Sequence, residues 1–303
     1  MSYTTAGLLG ACYFVNLGGL ARQDVDVNPL LRDLDNIHGT VLILGGTDSG
    51  KTTLAYALFD ALVAAGRPGV AHLDCDVGQG TLGPPTTIGL RVSTHRDRVW
   101  HRFVGSISPR GHFLPAVVGA YKLQQQALAL RAGTVVVDTT GMVAPEVGGV
   151  ALKRWKIELL QPAVVVALTQ GRELDPIVAP LRRDGRVHLI EQRVSPLAVP
   201  RPQNQRIEAR RARWHDYFAD AQVVRLPLHE LVLWGGRRVR RGQVVGLLDA
   251  DGFALALGLI QGVESASATL EVLAPLAEPA AVRGLGLGNL CVDPETGEET
   301  KIA

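Results

Sequence analysis

Gly45-Gly46-Thr47-Asp48-Ser49-Gly50-Lys51-Thr52 follows an unbroken apolar run, Thr40–Leu44 (TVLIL), and opens Thr52–Ala65, where apolar residues recur at helical spacing up to Gly66. A continuous apolar run of this length reads as a strand buried on both faces of a parallel sheet. The octet fits G-x-x-x-x-G-K-S/T at every fixed position, in the strand–loop–helix setting that this pattern requires. Its glycines let the backbone curl so that successive N–H groups meet phosphate oxygens. The helix start adds the positive end of its dipole. Gly45, Gly46, Thr47, Asp48, Ser49, Gly50, Lys51, Thr52 and the neighbouring Thr53 are therefore the candidate nucleotide contacts. Lys51 is placed to reach the β- and γ-phosphates, and the Thr52 hydroxyl to hold Mg²⁺.

Outward from this loop, Val70–Leu73, Thr134–Val137 and Ala163–Leu168 read as further short, β-branched strands, and Trp100–Gly105 as another. Pro115–Arg131 and the segment from about Glu146 to Leu160 read as helices between them. Strands alternating with helices specify an α/β fold: a P-loop NTPase domain with a mostly parallel sheet flanked by helices. After residue 225 the pattern changes. Val244–Leu248, Ala254–Ile260 and Thr269–Val272 are short strands with turn signals at Ala250-Asp251-Gly252 and Gly262. The expected division is an N-terminal arm (1–38), a P-loop domain (39–224) carrying an arginine-rich lid at about 193–218, and a small C-terminal β-rich domain (225–303).

Composition narrows the function. The 303 residues carry 47 % hydrophobic and 20 % charged side chains, which excludes a disordered or fibrous chain. The net charge of +2 hides an uneven distribution. Residues 181–241 hold 14 Arg against 6 acids, whereas 242–303 hold 2 basic residues against 9 acids. A basic segment followed by an acidic one points to a polyanionic partner. The three cysteines, Cys12, Cys75 and Cys291, are far apart and odd in number, which argues against a disulfide framework and for a reducing cytoplasm. No apolar run reaches about 18 residues, so no membrane span is expected. Leu8–Leu20 lacks a basic lead-in and reads poorly as a signal peptide.

Leu73-Asp74-Cys75-Asp76-Val77-Gly78-Gln79-Gly80 closes the second strand, at the edge of the sheet that faces the ligand crevice. Of two carboxylates there, one can hold the Mg²⁺ shell and the other can accept a hydroxyl proton, which makes Asp74 and Asp76 metal candidates and Asp76 a catalytic one. No Asn-Lys-x-Asp guanine-reading motif occurs, so ATP is the expected nucleotide.

GGTDSGKTTL, DCDVGQGTLGPPTTIGL, GSISPRGHFLP and VDTTGMV together resemble the polynucleotide 5′-hydroxyl kinases, a family that includes the RNA kinase of the mRNA 3′-end cleavage machinery, the nucleolar rRNA-processing kinase and compact archaeal and bacterial relatives. The resemblance implies transfer of the ATP γ-phosphate to the 5′-hydroxyl of RNA or DNA. It implies that Asp76 sits beside metal and hydroxyl, and that Gln79 orders a water or the metal shell. It gives Thr139, Gly141 and Met142 a substrate-clasping role, and turns Arg110 and His112 toward the nucleic acid. Arg201, Arg206 and Arg210, followed by Tyr217-Phe218, match the spacing of the family's lid. Met142 departs from the pattern, which has an aromatic, usually Trp, at that position. Lys153, Arg154 and Lys156 read as a solvated helix face, and Trp155 as core. Residues 225–303 are expected to brace the lid or bind a partner. Two other readings stay open: a P-loop ATPase or GTPase acting as an assembly factor, and a non-catalytic scaffold in RNA processing.

Overall fold

In a computed structural model, the structure describes residues 27–34, 38–235, 239–264 and 266–302. Most of the expected N-terminal arm lies outside these residues. Within it, helix α1 (Asn28–Leu34) buries Leu30 in the main core.

A seven-stranded sheet is built from β1 (Gly39–Gly45), β2 (Val70–Asp74), β3 (Thr87–Val92), β4 (Val99–Phe103), β5 (Thr134–Asp138), β6 (Val164–Thr169) and β7 (His188–Arg193), in the order β4-β3-β2-β5-β1-β6-β7. The five strands from β2 to β7 in this order are parallel, and β3 and β4 extend the sheet as an antiparallel ribbon. Helix α2 (Lys51–Ala64) covers one face with α1; α3 (Phe113–Ala129), α4 (Gly149–Leu160) and α5 (Asp175–Leu181) cover the other. The central strands are buried along their whole length, as their unbroken apolar sequences require. β1 lies between β5 and β6, so the loop after it opens at the middle of the sheet's C-terminal edge.

Helix α6 (Gln203–Phe218) leads into a second sheet of β8 (Gln222–Pro227), β9 (Val232–Trp234), β10 (Gln243–Leu248), β11 (Ala254–Glu264), β12 (Thr269–Ala274), β13 (Gly284–Val292) and β14 (Glu299–Lys301). Its order is β14-β13-β10-β11-β12-β8, antiparallel throughout, with β9 added parallel to β13. The sequence boundary expected after residue 224 falls inside β8, which pairs with β12 and belongs to this sheet. Phe103 at the end of β4 packs onto the second sheet, where Gly246 and Gly286 leave room for its ring: a methyl added to either would lie 2.6–2.8 Å from it. The Asn289 N–H donates to Gly105 O at 2.8 Å, tying the two sheets together.

Candidate active site

The site grows from the turn after β1. Asp48 (φ 57°) and Gly50 (φ 82°) adopt the left-handed conformation, curling the loop before α2 begins at Lys51. Gly45 has no space for a Cβ, which would meet the Ser49 hydroxyl. Lys51 lies over the loop, donating to Gly46 O and, at 3.2 Å, to Ser49 Oγ. Burial pulls its ammonium below the usual lysine range, opposed by the charges of Asp138, Asp76 and Asp48. Thr52 Oγ1 donates to Asp138 Oδ2 at 2.6 Å.

Asp138 is the residue that sequence reading missed. It ends β5, the strand beside β1, and its Oδ1 is enclosed without a hydrogen-bond partner among the described residues. Burial, and next the charge of Asp74, push its carboxyl up to about 7, against the pull of Lys51 and the Thr52 hydroxyl. A sequence signal existed: an Asp closing an apolar strand directly before Thr139-Thr140-Gly141. The orphan oxygen beside Thr52 Oγ1 fits a hard divalent cation such as Mg²⁺. Among the described residues no group of three or more His, Cys, Asp or Glu side chains forms a metal cluster.

Asp74, expected among the metal ligands, is engaged by the loop that follows it. It is buried, its Oδ1 accepts the Asp76 N–H at 3.0 Å, and its Oδ2 accepts the N–H and hydroxyl of Thr81. It therefore shapes the loop that presents Asp76. Burial raises its carboxyl, against the bonds from Thr81 and Asp76. Asp76 Oδ1 accepts the N–H groups of Gly78 and Gln79, each at 2.9 Å, which fixes the carboxylate at the crevice. The Gly-Gln-Gly that follows is a steric need: a Cβ on Gly78 would lie 2.6 Å from Ile107 O, and one on Gly80 would strike Asp76 O. The Ser106–His112 loop thus lies against the Asp76 loop, carrying an exposed Arg110 and a half-exposed His112.

The clasp segment meets the P-loop from the other side. Thr139 Oγ1 donates to Ile43 O at 2.7 Å, so this hydroxyl anchors backbone. Gly141 lies directly on Thr47, and a methyl there would be 2.7 Å from Thr47 Cα. Met142 is half-buried beside it.

The lid arginines separate. Arg206 pairs with Asp48 of the P-loop, and the Arg201 N–H donates to the same carboxylate at 3.0 Å. Arg206 is also close enough to act on the Lys51 charge. Arg210 does not join them: it makes a bidentate pair with Glu299 of β14 at 2.9 Å, and Trp214 Nε1 donates to the same carboxylate. In this structure Arg210 therefore lies on β14 and apart from the P-loop. Four residues apart on α6 share a face only roughly, and Trp214 buried in the second sheet's core rotates Arg210 toward β14. Gln79, expected to contact substrate and to order a water or the metal shell, donates from Nε2 to Arg206 O at 3.3 Å and so joins α6 to the Asp76 loop. Arg213 is half-buried, donates to Gly83 O and feels the charges of Asp74 and Asp76. Through Glu299 the acidic C-terminal segment ties α6 to the second sheet. The expected solvated face and core on α4 are reversed: Lys153 and Lys156 are buried, while Trp155 is 58 % exposed with Arg154 5.8 Å from its ring centroid.

The comparisons agree with this construction. Residues 45–220 match the family model described as mRNA cleavage and polyadenylation factor CLP1 P-loop. The chain is 29 % identical to a polyribonucleotide 5′-hydroxyl-kinase of Pyrococcus furiosus, over 86 % of this chain and 90 % of that protein. It is 28 % identical to one of Methanocaldococcus jannaschii, over 86 % and 88 %. A chain in the solved structure of the wild-type Clp1p–Pcf11p complex superposes with a TM-score of 0.65, covering 86 % of this chain and 77 % of that one; at 14 % identity the likeness is one of fold. With more than half of its length matched, the chain belongs to the CLP1 P-loop family.

Proposed function

We propose that this chain is an ATP-dependent polynucleotide kinase that transfers the γ-phosphate of ATP to the 5′-hydroxyl end of RNA. The observation that carries this reading is the convergence of three distant segments on the P-loop. Asp76 comes from the end of β2, Gly141 from the turn after β5, and Arg206 from α6. Group transfer to a polymer needs an acceptor side facing the nucleotide loop, and these three segments form one. The names of the archaeal relatives support the same reaction.

The loop amides and Lys51 would hold the phosphates. Thr52 Oγ1 and Asp138 would hold Mg²⁺, which when bound neutralises charge on the phosphate oxygens. Asp76, fixed by two amides, would orient the acceptor hydroxyl and take its proton. Arg206, carried by Asp48, would offset the charge spread over the moving phosphoryl group. Gly141 and Met142 would flank the terminal nucleotide, with Arg110 and His112 near the following phosphates. DNA with a 5′-hydroxyl end is a second acceptor to be tested. Among the described residues no helix is long and apolar enough to cross a membrane. Cys75 and Cys291 are free thiols, which suits the cytoplasm.

The test is transfer of label from γ-labelled ATP to a 5′-hydroxyl RNA oligonucleotide, with a matched DNA beside it and Lys51→Ala as control. Labelled RNA from the wild type and none from the variant supports the reading. No transfer to either polymer overturns it.

A further inference from the structure

Helix α4 carries two lysines on its inward face. Lys153 is 0 % exposed and Lys156 1 %, alongside Leu152, Ile157 and Leu160. Lys153 Nζ donates to Thr140 O and, at 3.3 Å, to Thr140 Oγ1. Lys156 Nζ is fully enclosed beside the Cys75 thiol, to which it is linked by hydrogen bond and charge. Its charge is the strongest of those acting on the buried thiol of Cys75, the residue before Asp76.

Such an arrangement does not serve stability. Burying an amine is costly. Burial, and next the charge of Lys156, drive the Lys153 ammonium well below the usual lysine range. Apolar side chains of similar length commonly hold such positions as well or better. The placement of the amines shows what they reach instead. Thr140 lies between Thr139, anchored to β1 through Ile43 O, and Gly141, pressed onto Thr47. Lys153 supplies the third fixed point of this turn. Cys75 leads into Asp76 and is tied to β5 by its N–H, which donates to Asp138 O at 3.0 Å. The two lysines thus lie beneath the two walls of the acceptor side.

We propose that Lys153 and Lys156 are positioning residues of the phosphoryl-acceptor side, holding the Thr140 peptide and the Cys75–Asp76 strand end in fixed relation so that the acceptor hydroxyl meets the transferred phosphate in line. Neither touches substrate, and neither contacts the nucleotide loop. The inference rests on the kinase reading above.

The test is Lys153→Met and Lys156→Met, each followed by melting temperature, equilibrium ATP binding, and steady-state kinetics with ATP and 5′-hydroxyl RNA. The expected result is a melting temperature equal to or above the wild type, ATP affinity within about twofold, and kcat/KM for RNA reduced about tenfold or more, as small misplacements of reacting groups produce. For Lys153→Met the RNA KM carries most of the loss. If either Met variant fails to fold, the Leu variant at the same position must show the same RNA-specific loss. Wild-type kcat/KM for RNA in both variants overturns the proposal. So does a loss of activity matched by a fall in melting temperature. Absence of transfer by the wild-type chain removes the kinase reading, and this inference with it.

Discussion

Glu299→Ala removes one carboxylate that receives four hydrogen bonds, three from Arg210 and one from Trp214 Nε1. Arg210 and Glu299 are only 13 % and 12 % exposed. Breaking a buried ion pair from one side costs about 3–5 kcal/mol, because the remaining charge stays unpaired. Slight access to water favours the lower end, and the orphaned indole N–H adds about 1 kcal/mol. The expected loss is therefore about 3–4 kcal/mol for Glu299→Ala and about 3 kcal/mol for Arg210→Ala. The double variant should be little worse than either, with a coupling of about 3 kcal/mol in the cycle. Urea unfolding of the four proteins measures this directly. Turnover adds a second arm: below its own transition Arg210→Ala should keep kcat within about threefold, since Arg210 faces β14 and not the phosphates. Additive destabilisation, or a kcat loss of about a hundredfold in fully folded Arg210→Ala, would refute the assignment of Arg210 to lid anchoring.

Arg206→Ala should lower kcat about tenfold or more with ATP affinity largely kept, because Arg206 reaches the P-loop through Asp48; unchanged turnover in steady-state assays removes the lid from the mechanism. Gly141→Ala places a methyl 2.7 Å from Thr47 Cα, so backbone must shift on one side. The expected effect is a fall of about a hundredfold in kcat/KM with the fold intact by circular dichroism. In the metal-free protein Asp138 holds its proton up to about pH 7, well above an unfolded aspartate. The folded state then binds the extra proton, so stability should decline as pH rises from about 4 to about 7. Asp138→Asn should flatten that decline in melting curves, and an unaltered slope would count against the burial of this carboxyl.

The nucleotide half of the site was legible because its chemistry is local. TVLIL and the octet after it specify strand, turn and helix within a dozen residues, and β1 and α2 start within one residue of the expected places. Elements with weak local signals were not found. β13 reads GLGLGNLCV, poor in strand formers, yet two of its glycines are there because Phe103 packs on Gly286 and Gly105 on Gly288. β3 is interrupted by Gly89, where a Cβ would lie 2.8 Å from Leu82. β7 is an exposed edge strand of mixed polarity. Arg210 was misplaced because its partner, Glu299, is 89 residues away in sequence. The α4 lysines did carry a signal. Gly149, Leu152, Lys153, Lys156, Ile157 and Leu160 fall at steps of three and one, the buried stripe of a helix. Charge outweighed period in the sequence reading, and the same stripe leaves Trp155 outside.

The central claim is that ATP turnover is coupled to an acceptor. The most direct measurement counts ADP formed and RNA 5′-phosphate ends formed in one reaction, with 5′-hydroxyl RNA and with the same RNA already 5′-phosphorylated. The account predicts equal amounts of ADP and new 5′-phosphate ends on the first substrate, and neither above background on the second. ADP released without new 5′-phosphate ends, at the same rate on both RNAs, would contradict it and leave a nucleotide hydrolase on a kinase fold.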